Sequence, residues 1–191
     1  MLHGQAGVRL RNVPGLREHL HAGGAVGRIA ADVLGHECFP VRALLFDKSA
    51  ETNWALGWHQ DRTIAVAERR EVPGYGPWTV KRGTPHVEPP ITVLERMVTL
   101  RVHLDPVPAT NAPLLIVPGS HRLGRIPEAE IGGIVAEHGS MACLADAGDV
   151  RIYSTPILHA SDVATVPARR RVLQIDYAAD ALSGELVWAG I

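Results

Sequence analysis

The sequence predicts a mainly β fold, a sandwich or barrel flanked by N-terminal helices. Three observations carry this. Helical periodicity is confined to the N-terminal part and one short later stretch. The remainder is a series of short apolar or alternating runs. The 19 Gly and 14 Pro among 191 residues supply the turns that such a series needs.

Residues 14–34 form the helical part. Pro14 suits a first helical position, and Leu16, Leu20, Val26, Ile29, Ala30 and Val33 recur at helical spacing. Gly23 and Gly24 break this run into two helices, and Gly35 suits the C-terminal cap of the second. Strand candidates follow at 41–47, 63–67, 97–104, 114–117, 148–153 and 171–177, punctuated by Gly and Pro. A short helix is expected around 128–138. Residues 68–90 are rich in Gly, Pro and charge and show no periodicity, which reads as a long functional loop. Gly74, Tyr75, Pro77 and Trp78 make it a packed loop rather than a free one.

Composition narrows the function classes. A chain of this length forms one domain with a sizeable core and needs no metal or disulfide staples. The formal net charge of −1 speaks against a polybasic nucleic-acid or membrane-surface partner. Cys38 and Cys143 are isolated in sequence, so no C-x-x-C zinc or redox motif exists, and two buried thiols are expected. The opening Met1–Gln5 has no charged and apolar leader pattern, and no apolar run approaches a membrane span. A cytoplasmic protein, monomer or homodimer, is the expectation.

The residues that carry chemistry begin with Trp58-His59-Gln60-Asp61. In a strand, positions i and i+2 share a face, so His59 and Asp61 present an imidazole and a carboxylate side by side. Two His and one carboxylate leave open positions on a divalent iron. His159 can supply the second imidazole. His103-Leu104-Asp105 repeats the same spacing and also meets the requirement with His159, so spacing does not choose between the pairs.

Wider context does choose. The run Leu100-Arg101-Val102-His103-Leu104-Asp105, then Asn111-Ala112-Pro113-Leu114, then Val117-Pro118-Gly119-Ser120-His121 resembles the phytanoyl-CoA dioxygenase-like family. There a strand ends in a polar pair, followed by an N-G-x-L turn and a P-G-[ST]-H motif. His59 and Asp61 lie upstream, where the family places its first iron ligands. His159, followed by Arg170 within Arg169-Arg170-Arg171-Val172-Leu173-Gln174-Ile175-Asp176-Tyr177, resembles the distal His and the arginine strand. The resemblance runs from about Val41 to Tyr177.

It implies a double-stranded β-helix, the cupin-like jelly roll, with 1–36 as helical support and 37–178 as the jelly-roll core of a single 1–191 domain. It implies Fe(II) held by His59, Asp61 and His159, with 2-oxoglutarate as co-substrate and O2 as oxidant. Arg170 would bind the distal carboxylate, which a planar guanidinium fork suits. Arg171 is the runner-up, although alternation turns it and Arg169 to the other face. Asp61 favours hydroxylation over halogenation, because related halogenases carry a small residue there. The implied reaction oxidises a small polar or natural-product-like molecule and releases succinate and CO2. Asn111-Ala112 departs from the family's Asn-Gly, and Ala is costlier than Gly at positive φ.

On the substrate side, Trp54, Trp58, Trp78, Lys81, His86 and Arg101 are candidates, although Trp54 and Trp78 read more readily as core plugs and Lys81 as a solvated residue. His121 reads as a turn anchor, and His3, His19, His21, His36 and His138 as surface or helix residues. Two rival readings remain open from sequence: a catalytically silent jelly-roll binding module, and a cupin-like metal enzyme that does not use 2-oxoglutarate. The offset from His159 to Arg170 speaks against the second.

Overall fold

The computed structural model describes residues 7–191; His3 and the Met1–Gln5 segment lie outside them. Two short helices, α1 (Leu16–Leu20) and α2 (Gly27–Leu34), precede most of the strands. Pro14 does not open the first helix as expected. It lies in a turn with Gly15, whose φ of 76° requires a residue without a side-chain clash, and the helix begins at Leu16. The helices meet at glycine. A Cβ on Gly27 would lie 2.0 Å from the His21 carbonyl oxygen, so no larger residue fits there. Gly35, at φ 92°, ends α2 as expected.

The strands are β1 (Val8–Arg9), β2 (Phe39–Lys48), β3 (Leu56–His59), β4 (Ile64–Ala65), β5 (Trp78–Lys81), β6 (Thr84–Val87), β7 (Met97–His103), β8 (Leu114–Ile116), β9 (Met141–Cys143), β10 (Val150–Ser154), β11 (His159–Ser161) and β12 (Arg170–Ala178). They form three antiparallel sheets. The largest has the order β1-β2-β12-β7-β10, the second β3-β11-β8-β9, and the smallest β4-β6-β5. This is the mainly β, jelly-roll architecture that the sequence predicts. Two further helices, α3 (Ile91–Glu95) and α4 (Ile131–His138), sit in the connections.

The large sheet has two unlike faces because side chains alternate along each strand. Its outer face is apolar: Ala43, Val98, Leu100, Ile175 and Tyr177 pack with Leu20, Ala30 and Ala31 of the helices. The Tyr177 hydroxyl donates to the Leu20 carbonyl at 3.0 Å and ties sheet to helix. The inner face mixes charged and polar residues with Leu44, Phe46 and Val172 and borders a cavity shared with the second sheet. Cys38 and Cys143 are free and buried, as expected.

One expectation is corrected. Residues 68–90 are not a single loop: β5 and β6 form a hairpin that joins β4. Its two-residue turn is Arg82-Gly83, with φ of 51° and 75°. That is the twist a tight hairpin needs, although the usual signal is Asn-Gly. Among the described residues no helix is long and apolar enough to cross a membrane.

Candidate metal centre

His59 and His159 are direct partners across β3 and β11, and their ring centroids lie 4.2 Å apart. Strand β3 stops at His59, so Asp61 sits just past the strand rather than within it. The expected juxtaposition nevertheless forms, by cross-strand pairing of the histidines and by capture of Asp61 from below. One ligand atom from each of His59, Asp61 and His159 lies within 4.8 Å of the others. Among the described residues no other group of His, Cys, Asp and Glu does this.

The hydrogen bonding of the trio suits a cation. Nδ1 of His59 lies 2.8 Å from the Gly57 carbonyl, and Nδ1 of His159 lies 2.9 Å from that of Ile157. A carbonyl only accepts, so each Nδ1 carries a hydrogen, and Nε2 is the ring atom through which each imidazole would bind a metal. Burial pushes His159 down, toward its neutral form, against the pull of Asp61. Burial alone would raise the Asp61 carboxyl, but the Arg42 guanidinium outweighs it and holds it at about 2. Asp61 is 24% exposed and opens into the cavity.

Arg42 is the residue that aims Asp61. Its Nη2 donates to Asp61 Oδ2 at 3.1 Å, and its Nε donates to Asp176. Asp176 also accepts from the Thr99 hydroxyl at 3.0 Å. Burial, reinforced by the Asp61 charge, raises Asp176 although Arg42 opposes it. Gln60 points the other way and fastens the chain: its amide donates to the carbonyls of Gly124 and Pro156 at 2.9 and 2.8 Å, and its oxygen accepts from Ile126 N at 2.9 Å. The Ser120 hydroxyl accepts from Leu158 N at 2.8 Å and so sets the residue just before His159.

A cavity of about 130 Å³ extends from this trio between the two larger sheets. Leu44, Phe46, Leu114 and Trp54 form its apolar wall, while Lys48, Arg101, Arg170 and Gln174 supply polar groups. Arg170 is 4% exposed and donates to the Ala112 carbonyl. Ala112 adopts φ 49°, the strained state expected where the family's glycine is replaced.

The structure sorts the remaining candidates. Arg101 lines the cavity, donates to Gln174 Oε1 at 2.8 Å and stacks 5.4 Å from the Phe46 ring. Arg171 faces outward and pairs with Asp105 at 2.7 Å, so it is removed from the cavity. The same pair carries Asp105 away from the trio and separates it from buried His103, closing the alternative ligand set. Trp78 is packed with Tyr75, Val66 and Val87, and Trp58 with Val117, Ile126 and Leu158. Lys81 donates to Thr63 Oγ1 at 3.2 Å, and His86 is buried on β6 with Nδ1 3.0 Å from the Thr84 carbonyl. Trp78, Lys81 and His86 do not line the cavity. The sequence reading missed Arg42, Gln60, Lys48 and Asp176. The available signal was that Arg42 and Lys48 share one face of β2, while Asp176 shares one face of β12 with Arg170.

The chain is similar in fold to EctD from S. alaskensis in its apoform, with a TM-score of 0.66 and 19% identity over 97% of this chain. It spans 61% of that EctD chain. AviO1 from Streptomyces viridochromogenes Tue57 has a TM-score of 0.63 and 21% identity, covering 93% of this chain and 71% of its own. The carbocyclase SnoK from nogalamycin biosynthesis, described as non-heme and alpha-ketoglutarate dependent, has a TM-score of 0.61 and 18% identity, covering 86% of this chain and 58% of its own. EctD has also been crystallised with Fe, and with 2-oxoglutarate and 5-hydroxyectoine. No curated protein sequence matches the chain. The model of the phytanoyl-CoA dioxygenase (PhyH) family matches residues 4–172, and the chain belongs to that family.

Proposed function

We propose that this chain is a non-haem Fe(II)- and 2-oxoglutarate-dependent dioxygenase, a single 1–191 domain. It hydroxylates a small polar or natural-product-like molecule and releases succinate and CO2. The observation that carries the reading is the trio itself: two imidazoles whose Nδ1 atoms are engaged by backbone carbonyls beside an ionised carboxylate, at the mouth of a cavity whose wall holds Arg170. Family membership and the ligands named for EctD support the same reading.

The residues fit the implied metal: a two-His, one-carboxylate set leaves positions open for other ligands. When bound there, Fe(II) supplies the oxygen chemistry and the oxidative decarboxylation of 2-oxoglutarate, which side chains cannot perform. The chain's own part is to hold and orient. His59, Asp61 and His159 offer their lone pairs, and Arg42 keeps Asp61 ionised and aimed. The Arg170 fork receives the distal carboxylate of 2-oxoglutarate. Leu44, Phe46 and Leu114 exclude water around it. Asp61 fills the carboxylate position, which favours hydroxylation over halogenation.

The test is succinate release from 2-oxoglutarate with Fe(II), ascorbate and air, without any added substrate. Slow uncoupled release that disappears in Asp61→Ala is expected. Iron-loaded protein that never forms succinate contradicts the reading and favours a silent binding module or a metal enzyme independent of 2-oxoglutarate.

A further inference from the structure

The inner face of the large sheet can be read row by row along β12. Asp176 stands opposite Arg42 and Thr99, Gln174 opposite Leu44 and Arg101, Val172 opposite Phe46 and His103, and Arg170 opposite Lys48. The first row is balanced in charge. The last row sets two cations directly against each other, and both side chains point into the cavity. Lys48 is 6% exposed and Arg170 4%. Like charges opposed across a strand pair repel, and burial removes the water that would screen them.

Neither cation meets a carboxylate among the described residues. Lys48 donates one hydrogen bond, 2.7 Å to the Trp54 carbonyl, and lies 4.1 Å above the Trp54 ring. An ammonium has three donors, so two remain. Burial, Arg170 and Arg101 all push Lys48 toward neutrality, and no acid opposes them. Arg170 donates to the Ala112 carbonyl, which leaves most of its five donors free. The pair therefore lacks one thing, a carboxylate between its members.

We propose that Lys48 is a second cation for the distal carboxylate of 2-oxoglutarate, gripping it together with Arg170. This rests on the reading of the cavity as a 2-oxoglutarate site. The Arg170 fork takes the carboxylate in its plane, and the Lys48 ammonium adds a point charge from the neighbouring strand. Two cations make the site selective for a 2-oxo acid with a second carboxylate. They also link the bound co-substrate to the turn after β2, because Lys48 holds the backbone of Trp54, itself part of the cavity wall.

Calorimetric titration of Mn(II)-loaded protein tests this with two probes, 2-oxoglutarate and 2-oxopentanoate. The second has the same chain and the same chelating end but no distal carboxylate. Lys48→Met is expected to weaken 2-oxoglutarate at least tenfold, about 1.4 kcal/mol, and to leave 2-oxopentanoate within about twofold of the parent. Lys48→Gln keeps a donor for the Trp54 carbonyl, so it isolates the charge and should show the same selective loss. Lys48→Arg should recover most of the affinity. Parent-like 2-oxoglutarate binding in Lys48→Met and Lys48→Gln overturns the proposal. So does equal weakening of both 2-oxo acids, the signature of a lysine that only anchors the turn. If the Mn(II)-loaded parent binds neither probe, the co-substrate reading itself falls. If the parent and Lys48→Met both bind 2-oxoglutarate while Arg170→Met does not, that reading stands and only the role of Lys48 fails.

Discussion

The two ends of one sheet face behave oppositely. Beside the trio, Arg42 is shared by Asp61 and Asp176, so both carboxylates there have a cation. At the other end Lys48, Arg101 and Arg170 converge with no acid among them. The face even holds orphaned polar atoms there: Arg101 Nε and both nitrogens of His103 are buried without partners. Native interiors rarely leave polar groups so. The contrast separates two duties. The balanced end shapes a ligand set by itself, while the unbalanced end presents positive charge that an anionic ligand would complete.

Breaking the balanced end should have the largest effect. Arg42→Met frees Asp61 to turn and leaves Asp176 without its cation. Mn(II) affinity, read by calorimetry, should fall by about tenfold to a hundredfold. Unchanged affinity would mean that Asp61 is aimed by something else. Gln60→Leu acts on the same end through the backbone. It orphans two carbonyls and an amide, so stability in urea should drop by roughly 3 kcal/mol.

The unbalanced end makes a prediction in pH. Burial, together with Arg101, Arg151 and Arg170, pushes His103 down from 6.5 to about 4. The folded chain thus favours neutral His103, while the unfolded chain binds its proton near 6.5. The stability this contributes is fully present above pH 6.5 and is lost as pH falls toward about 4, by up to about 3 kcal/mol. His103→Leu should flatten that part of the denaturation profile, and an unaltered profile would contradict the assignment. The smallest effect belongs to the outer face. Arg171→Ala removes a partly exposed pair with Asp105, so it should cost about 1 kcal/mol and leave 2-oxoglutarate binding unchanged.

How much of this was legible in the sequence follows from the range over which each signal acts. Helix periodicity and the long strands at 41–47, 97–104 and 171–177 are local patterns, and they appear in the structure with small shifts in their ends. Alternation put Arg170 and Arg171 on opposite faces, but resemblance was needed to favour Arg170, and only the fold shows which of them lines the cavity. The hairpin at 78–87 was illegible because its strands have four residues each, one contains Pro85, and its turn uses Arg82 where Asn is usual. The choice between His59-Asp61 and His103-Asp105 rested on family resemblance, because spacing is identical and only the fold shows that Asp105 turns outward. Arg42, Asp176 and Lys48 stayed hidden for a related reason. Each looks like an ordinary strand residue until the β2–β12 register sets Arg42 against Asp176 and Lys48 against Arg170.

The most direct measurement is 2-oxoglutarate binding to the purified chain with and without Mn(II). The account predicts one equivalent bound, at least about tenfold more tightly when the metal is present, because the trio and the cationic end hold opposite ends of one molecule. Binding that ignores the metal, or metal-loaded protein that takes up no 2-oxoglutarate, would contradict it.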